Sequence, residues 1–472
     1  MNWNFFYHIG IISLSLLLAA LLRARIRFFQ RYLIPSPIIS GILLLVFYNF
    51  IAPFFGLKND FLGEIVYHLL NISFIAMLLR VTPKQKKDGK GRRTLAANVT
   101  AVMGQYGLQC FFGLLFTAIM IATFKPDLFP AFGFTLPLGF ELGPGQAYSI
   151  GIGWEKMGFR GGSSVGLTMA AIGFLIGSFG GVVLINQGLK RGWIGKESAQ
   201  RINDRSVRTG FFSRLDTERP IGSYLSTDGE SLDSLTYHVA LVMATYLISW
   251  AFLSGLTVLL NLIGPLGSDL AKSLWGINFV FSSFCAIGVK LIMRAFKVET
   301  TIDNATCNRL SGLSVDLTVA SSLGAISLVS IQGYWIPILV LTLLGMFITL
   351  VILPWYCSRI YDDHQFFRML VIYGTATGTL PTGLALLRVV DKEFETPVAT
   401  DYLYSVGIVF ILAIPIILSV NLPAFSVTHN NPILFTFAIL ISAFYMLASF
   451  VSYLLIAKKR SFAKAGTLFY TE

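Results

Sequence analysis

The sequence predicts an all-α polytopic membrane protein. Of its 472 residues, 55% are hydrophobic and only 13% are charged, against about 25% charged in an ordinary soluble domain. Eleven apolar runs approach the length of about 20 residues that a helix needs to cross a bilayer. This composition excludes a soluble enzyme and a disordered regulator.

The predicted helices are apolar runs bounded by charged residues, Pro or Gly. They lie near residues 4–22, 33–56, 62–80, 94–123, 162–189, 236–263, 270–293, 309–331, 334–357, 399–422 and 430–456. Two further apolar stretches, 129–153 and 366–390, are interrupted by Gly, Pro and Thr. These two stretches are not expected to form simple crossings.

The basic residues indicate which loops lie on the cytoplasmic side. If the N-terminus is outside and each interrupted stretch enters and leaves on one face, 31 of the 36 Lys and Arg residues fall inside. The five outside are Lys58, Lys125, Lys156, Arg160 and Lys272. The net charge of +12 therefore reflects membrane topology rather than nucleic-acid binding. The C-terminus is expected to be cytoplasmic.

A long polar segment divides the chain into two halves, each with five predicted crossings and one interrupted stretch. Because five is odd, the second half begins on the opposite side of the membrane, which predicts inverted repeats. The predicted organisation is a first repeat at 1–189, a cytoplasmic linker at 190–234, a second repeat at 235–422, and an extra C-terminal helix with a basic tail at 423–472.

The two interrupted stretches are the predicted chemical site. Prolines and glycines in one helix free backbone N–H and C=O groups, which hydrocarbon does not satisfy. In the first stretch these residues are Pro137, Gly139, Gly143, Pro144 and Gly145. In the second they are Gly374, Gly378, Pro381 and Gly383, with hydroxyls on Thr375, Thr377, Thr379 and Thr382.

Two broken segments entering from opposite sides in matching positions are typical of a transport site at the bilayer midplane. There, half-helix N-termini attract an anion, and freed carbonyl oxygens ligate Na⁺. The alternative is that both stretches are kinked packing helices, since Gly and Pro are common in membrane spans.

Two intramembrane acids are candidate functional residues, because a carboxylate within the bilayer is costly. Glu141 is a candidate to hold Na⁺, carry a proton or pair with an ammonium group; the alternative places it solvated near the outer surface. Asp316 is a candidate Na⁺ ligand, or a structural residue near a helix end. The hydroxyls expected to assist Asp316 are those of Ser314, Thr318, Ser321 and Ser322.

Weaker polar candidates and a glycine stripe are more readily explained by packing. Asn71, Ser73, Gln105 and Gln109 are expected to bridge helices. Gly173, Gly177 and Gly181 recur every four residues and predict a close helix contact. Arg388 is expected to extend to the inner surface rather than to meet a substrate carboxylate.

The pattern resembles the bacterial sodium/glutamate symporter family over about residues 1–422. The similarity is best in ELGPGQAYSIGIGWEKMGF, LSGLSVDLTVASSLGAISL and GTATGTLPTGLALL. Gly143, Gly145, Ala147 and Tyr148 match the first re-entrant motif, which makes Gln146 a further candidate. The second motif is matched by Gly378, Pro381 and Thr382. The chain departs from the family pattern at Phe140, Glu141 and Leu142.

The resemblance implies inverted five-helix repeats with re-entrant segments, a homodimer in the bacterial inner membrane, and an elevator-like mechanism. The expected activity is Na⁺-coupled symport of glutamate or a related small organic anion or amino acid. Na⁺ is then the coupling ion, with no organic cofactor. The alternatives are a proton-coupled carrier or antiporter that uses Glu141 or Asp316, and a transporter-like membrane sensor. An enzyme is not expected, because the sequence has neither HExxH nor GxxxxGK[ST].

Overall fold

The structure, a computed structural model, describes residues 3–32, 34–81, 89–194, 209–211, 222–262, 264–391 and 396–470. The regular elements of these residues are all helical. Ten of the helices are long and apolar enough to cross a membrane. The chain is therefore a multi-pass helical membrane protein, as the composition predicts.

The longer helices described in the first half of the chain number six. They are α1 (Asn4–Arg25), α2 (Ser36–Val46), α3 (Asp60–Leu79), α4 (Gly89–Thr123), α5 (Pro144–Glu155) and α6 (Gly162–Lys190). A π turn, Phe47–Ile51, and a 3₁₀ turn, Ala52–Phe55, extend α2. Between α4 and α5 the chain follows three short turns from Pro130 to Leu142.

The longer helices described in the second half of the chain number nine. They are α7 (Ser234–Asn261), α8 (Pro265–Gly276), α9 (Asn278–Ala295), α10 (Asn304–Gly324), α11 (Trp335–Phe347), α12 (Gln365–Ala376), α13 (Leu380–Val390), α14 (Val398–Ser419) and α15 (Ile433–Ala457). A π turn, Ile348–Ile352, joins α11 to the helix Leu353–Ile360, and α14 is followed by Leu422–Thr428.

Both interrupted stretches are broken where Gly and Pro predict it. The first interrupted segment (130–155) breaks at Gly143, before α5, and the second (365–390) breaks at residues 377–379, between α12 and α13. With 12 residues in α5 and 11 in α13, each helix is about 17 Å long at 1.5 Å per residue. Neither helix spans the roughly 30 Å hydrocarbon layer alone.

The single helix predicted at 270–293 is wrong. Helix α8 ends at Gly276, and α9 begins after Ile277, whose backbone is not helical (φ −109°, ψ 27°). A Cβ built on Gly276 would lie 3.4 Å from the Ser149 carbonyl oxygen. The break therefore falls where α8 passes close to the backbone of α5.

The helix predicted at 309–331 instead spans Asn304–Gly324. It starts early because the Asp303 carboxylate caps it, accepting hydrogen bonds from the Ala305 and Thr306 N–H groups. Helix α10, which carries Asn308, Arg309 and Asp316 besides its Ser and Thr residues, is not among the ten sufficiently apolar helices. The difference from the eleven predicted crossings lies in this polar helix.

Part of the predicted linker at 190–234 lies outside the described residues. Those described are 191–194, 209–211 and 222–234. The Tyr224 N–H group donates to Asp303 at 3.2 Å, which holds this part of the linker against the start of α10.

The helices pack as two bundles. The core bundle contains α4–α6 and α11–α15; α4 packs against α15 and α14, α5 against α6, and α12 against α13. The companion bundle contains α1–α3 and α7–α10, and α10 packs against α3 and α2. The main helix contacts between the bundles are made by α5, with α3, α8 and α10. The first interrupted segment is thus the principal connection between them.

The chain after α15 is held against the core bundle by a fully buried arginine. The Arg359 guanidinium donates to the carbonyl oxygens of Ala463 (3.1 Å), Lys464 (2.8 Å) and Thr467 (3.1 Å). Phe469 packs against Trp193, after α6, with ring centroids 4.7 Å apart. Phe469 also contacts Phe366 of α12. The segment 461–470 therefore ties α6 to the base of the second interrupted segment.

Candidate functional site

The breaks of the two interrupted segments meet inside the core bundle. Gly143 has a positive φ of 91°, and a Cβ built on it would lie 3.0 Å from Thr379 Cγ2 and 3.4 Å from the Gly378 carbonyl oxygen. The sequence places these residues more than 230 positions apart. Glycine is needed at 143 both for its backbone conformation and for this close approach.

Two helix N-termini lie at this meeting point. Helix α5 begins directly after Gly143, which has no side chain to cap it, and α13 begins directly after Thr379, whose side chain does not bond to its helix. The first N–H groups of a helix have no partner within it, and they carry the positive end of the helix dipole. Two such ends side by side favour an anion.

The threonine hydroxyls of the second segment fall into two groups. Thr375 and Thr377 donate to the carbonyl oxygens one turn earlier in α12, at 2.9 and 2.7 Å. Thr379 and Thr382 are partly exposed, and their hydroxyls are 3.4 Å apart. The second pair is therefore available to a bound solute at the mouth of the break.

The glycine stripe of α6 packs against the second segment, which confirms the packing interpretation. A Cβ built on Gly173 would lie 2.9 Å from the Thr377 carbonyl oxygen, and one on Gly177 would lie 2.7 Å from Thr377 Oγ1. Gly181 faces Leu386 of α13. Likewise, Gly374 lies against Gly383, so α12 and α13 approach closely.

Glu141 is buried in the turn that precedes the first break. Its side chain is 8% exposed, and neither carboxylate oxygen has a hydrogen-bond partner among the described residues. Tyr106 and Cys110 of α4 and Tyr402 of α14 lie within electrostatic range of it. The alternative that Glu141 is solvated near the outer surface is therefore wrong.

Helix α5 carries further buried polar atoms. Gln146 Oε1 and Ser149 Oγ are buried without a partner in the described structure. The Tyr148 ring lies over Gly63 of α3, and Gly145 lies against Leu70 of the same helix. Gly145 and Tyr148 thus form the contact with the companion bundle.

The predicted grouping of Asp316 with nearby hydroxyls is not formed. Asp316 is exposed on α10, whereas Thr318 and Ser321 are buried. Ser314 and Ser322 donate to carbonyl oxygens of their own helix, at 2.9 and 2.8 Å. The reason is helical phase, because residues two apart point in directions about 200° apart. Asp316 therefore lies apart from the buried hydroxyls with which it was expected to bind Na⁺.

The weaker polar candidates fall into two groups, one that bridges helices and one that does not. Asn71 accepts a hydrogen bond from Ser282 at 2.9 Å, and Ser73 bonds to Ser311 at 3.1 Å, so both bridge helices as expected. Gln109 has no partner for either amide atom in the described residues, and Gln105 has none for Oε1. The bridging role expected of these two glutamines is therefore not seen.

Two candidate positions of the second interrupted segment are described only by their backbone. Pro381 lies in the first turn of α13, and Arg388 lies near its end. Their side chains are outside the described part of the structure.

Sequence reasoning missed Tyr106 and Tyr402, because their proximity to Glu141 arises only from packing. The sequence carries only a weak indication of Tyr106, which is that it is the one tyrosine in α4. Within the described residues, no three His, Cys, Asp or Glu side chains group together.

Fold and site together define a polytopic helical membrane protein in which two broken segments meet inside one bundle. Comparison with protein-family models, curated proteins and solved structures found no match.

Proposed function

We propose that the protein is a secondary active transporter for a small organic anion or amino acid, with glutamate the favoured substrate and Na⁺ the coupling ion. The observation that carries the proposal is the contact between Gly143 and Thr379 at the start of two helices. Opposed broken helices of this kind are the usual transporter binding site.

The site favours an anionic group on the substrate. The first turns of α5 and α13 supply backbone N–H donors, except at Pro144 and Pro381, and Thr379 and Thr382 supply hydroxyls. A substrate carboxylate in this position accepts hydrogen bonds and interacts with two helix dipoles. Na⁺ binds to freed carbonyl oxygens and threonine hydroxyls beside it.

The helix packing supports inverted repeats as part of the proposal. In the first half α1 packs against α2, and in the second half α7 packs against α9. Across the halves, α2 packs against α10 as α9 packs against α3. An inverted two-fold relation that exchanges α1 with α7, α2 with α9 and α3 with α10 accounts for these contacts.

The two bundles support an elevator-like movement. The core bundle contains both breaks, so the bound substrate travels with it, while the companion bundle stays fixed. Tyr148 over Gly63 and Gly145 against Leu70 form the sliding contact of α5. In this proposal the companion bundle also forms the homodimer interface, the membrane is the bacterial inner membrane, the N-terminus is outside and the C-terminus is cytoplasmic.

Uptake of labelled L-glutamate into proteoliposomes, with and without an inward Na⁺ gradient, tests the proposal. We expect uptake to require the Na⁺ gradient and to be lower in Thr379→Val. Thr123→Val is the matched control, because it removes the same hydroxyl group from the exposed last turn of α4, far from the breaks. If neither glutamate nor related dicarboxylates and amino acids are taken up under any ion gradient, the proposed function is wrong.

A further inference from the structure

Behind the meeting point of the breaks lies a second polar group of side chains, centred on Glu141. The substrate-facing groups, Thr379 and Thr382, are partly exposed, whereas Glu141, Tyr106 and Tyr402 are buried. Tyr402 also interacts with the side chain of Thr375 in α12. Glu141 is thus enclosed within the core bundle and connected through Tyr402 to the second interrupted segment.

Within the described part of the chain, the carboxyl group of Glu141 is unpaired. No Lys, Arg or His side chain among the described residues interacts with it, and both oxygens lack hydrogen bonds. Burial of an unpaired carboxylate is much more costly than burial of the neutral acid. In this enclosed position Glu141 is therefore more stable as the neutral acid than as the carboxylate.

Among the described side chains, the elements packed around the turn Leu138–Leu142 offer no other unpaired charge to Glu141. Helix α6 carries no titratable side chain before Lys190. On α5, the Glu155 carboxylate accepts from Ser163, and on α12 Arg368 pairs with Asp363 and Asp401. The titratable side chains that interact with Glu141 are two phenols and a thiol: Tyr106 and Cys110 on α4, and Tyr402 on α14. Further phenols on neighbouring elements are Tyr148 on α5 and Tyr373 on α12.

We infer that Glu141 is a proton-binding site, separate from the substrate site, and that its proton crosses the membrane with the substrate. This inference rests on the proposed function and adds a coupling ion to it. A proton from water binds to the carboxylate when the core bundle is open to one side. The neutral acid crosses enclosed by Tyr106, Cys110 and Tyr402, and returns the proton to water on the other side. The proton also removes a negative charge that would repel an anionic substrate.

Infrared difference spectroscopy of the purified protein tests the proton site without any substrate. The wild type is expected to show a protonated-carboxyl band at neutral pH that shifts in D₂O and is lost in Glu141→Gln. Asp316→Asn is the matched control, because it removes an exposed carboxylate from α10, and it is expected to keep the band. A band that persists in a folded Glu141→Gln protein overturns the inference.

Coupling is tested by uptake of labelled L-glutamate under an imposed pH gradient, with equal Na⁺ on both sides. One proton per substrate and one pH unit of gradient correspond to about tenfold accumulation. Glu141→Gln is expected to lose this accumulation but keep exchange of internal for external glutamate, and Glu141→Asp to regain part of it. Unchanged proton-driven accumulation in Glu141→Gln contradicts the inference. Absence of all glutamate transport in wild type rejects the proposed substrate, and the infrared result then decides the proton site alone.

Discussion

Gly143 and Thr379 pack against each other, so the backbone of one broken segment touches the side chain of the other. The φ of 91° and ψ of −178° at Gly143 belong to a region that other residues rarely adopt. One glycine thus sets the direction of α5 and the separation of the two helix N-termini.

Gly143→Ala is expected to lower stability by about 1–3 kcal/mol, because of the backbone conformation and the contact with Thr379. Glutamate uptake should fall with it. Thermal unfolding in detergent and proteoliposome uptake measure the two effects. Gly153→Ala is the control, since a Cβ there meets nothing within 4 Å; equal effects of the two substitutions would contradict the prediction.

Gly173→Ala is expected to separate α6 from the second interrupted segment. The added methyl group would lie 2.9 Å from the Thr377 carbonyl oxygen. Because this oxygen belongs to the backbone, it cannot easily move away. A loss of about 1–3 kcal/mol is expected from overpacking, measured by thermal unfolding. Gly288→Ala, on α9 in open space, should change stability little. An unchanged melting temperature in Gly173→Ala would show that this contact is not tight.

Arg359→Met is expected to release the segment 461–470, because it removes the donors to Ala463, Lys464 and Thr467. Trypsin should then cleave after Lys464 much faster than in the wild type, as measured by mass spectrometry. Arg294→Met is the control, because Arg294 is exposed and its contact with Glu299 is long, at 3.7 Å. Equal cleavage rates in Arg359→Met and wild type would show that Arg359 does not hold the segment.

The cap of α10 is expected to make stability pH-dependent. Partial burial raises the pKa of Asp303, but hydrogen bonds from Thr306, Tyr224 and Ala305 outweigh it and hold the pKa below the usual 3.8. A carboxyl whose pKa is lower in the folded than in the unfolded protein stabilises the fold at any pH above its unfolded pKa. This stabilisation is lost as the pH falls through its folded pKa. Between pH 6 and pH 3, the melting temperature of the wild type should therefore fall more than that of Asp303→Asn. Parallel curves would exclude this role.

The sequence predicts the break positions well, because Gly143, Pro144 and the Gly and Thr residues near 378 determine the conformation of their own backbone. It places the start of α10 wrongly at Arg309, the charged residue that bounds the apolar run, although Asp303 is a better N-cap. The break at Ile277 follows from a contact with α5, and local sequence does not reveal it.

The candidate site is predicted less completely than the fold. Glu141 is recognisable because an acid in an apolar stretch is rare. Its neighbours Tyr106 and Tyr402 come from helices distant in sequence, so only packing brings them together. Asp316 was grouped with Thr318 by proximity in sequence, whereas the helical turn separates their directions.

The burial of Arg359 has a consequence for biosynthesis. Its acceptors at residues 463–467 emerge from the ribosome about 100 residues after the arginine itself. Until then the guanidinium group must be hydrated or paired elsewhere, and Phe366 lacks its contact with Phe469. The base of the second interrupted segment therefore reaches its final packing only late in synthesis, so nascent chains stalled before residue 463 should be selectively open to proteases near α12.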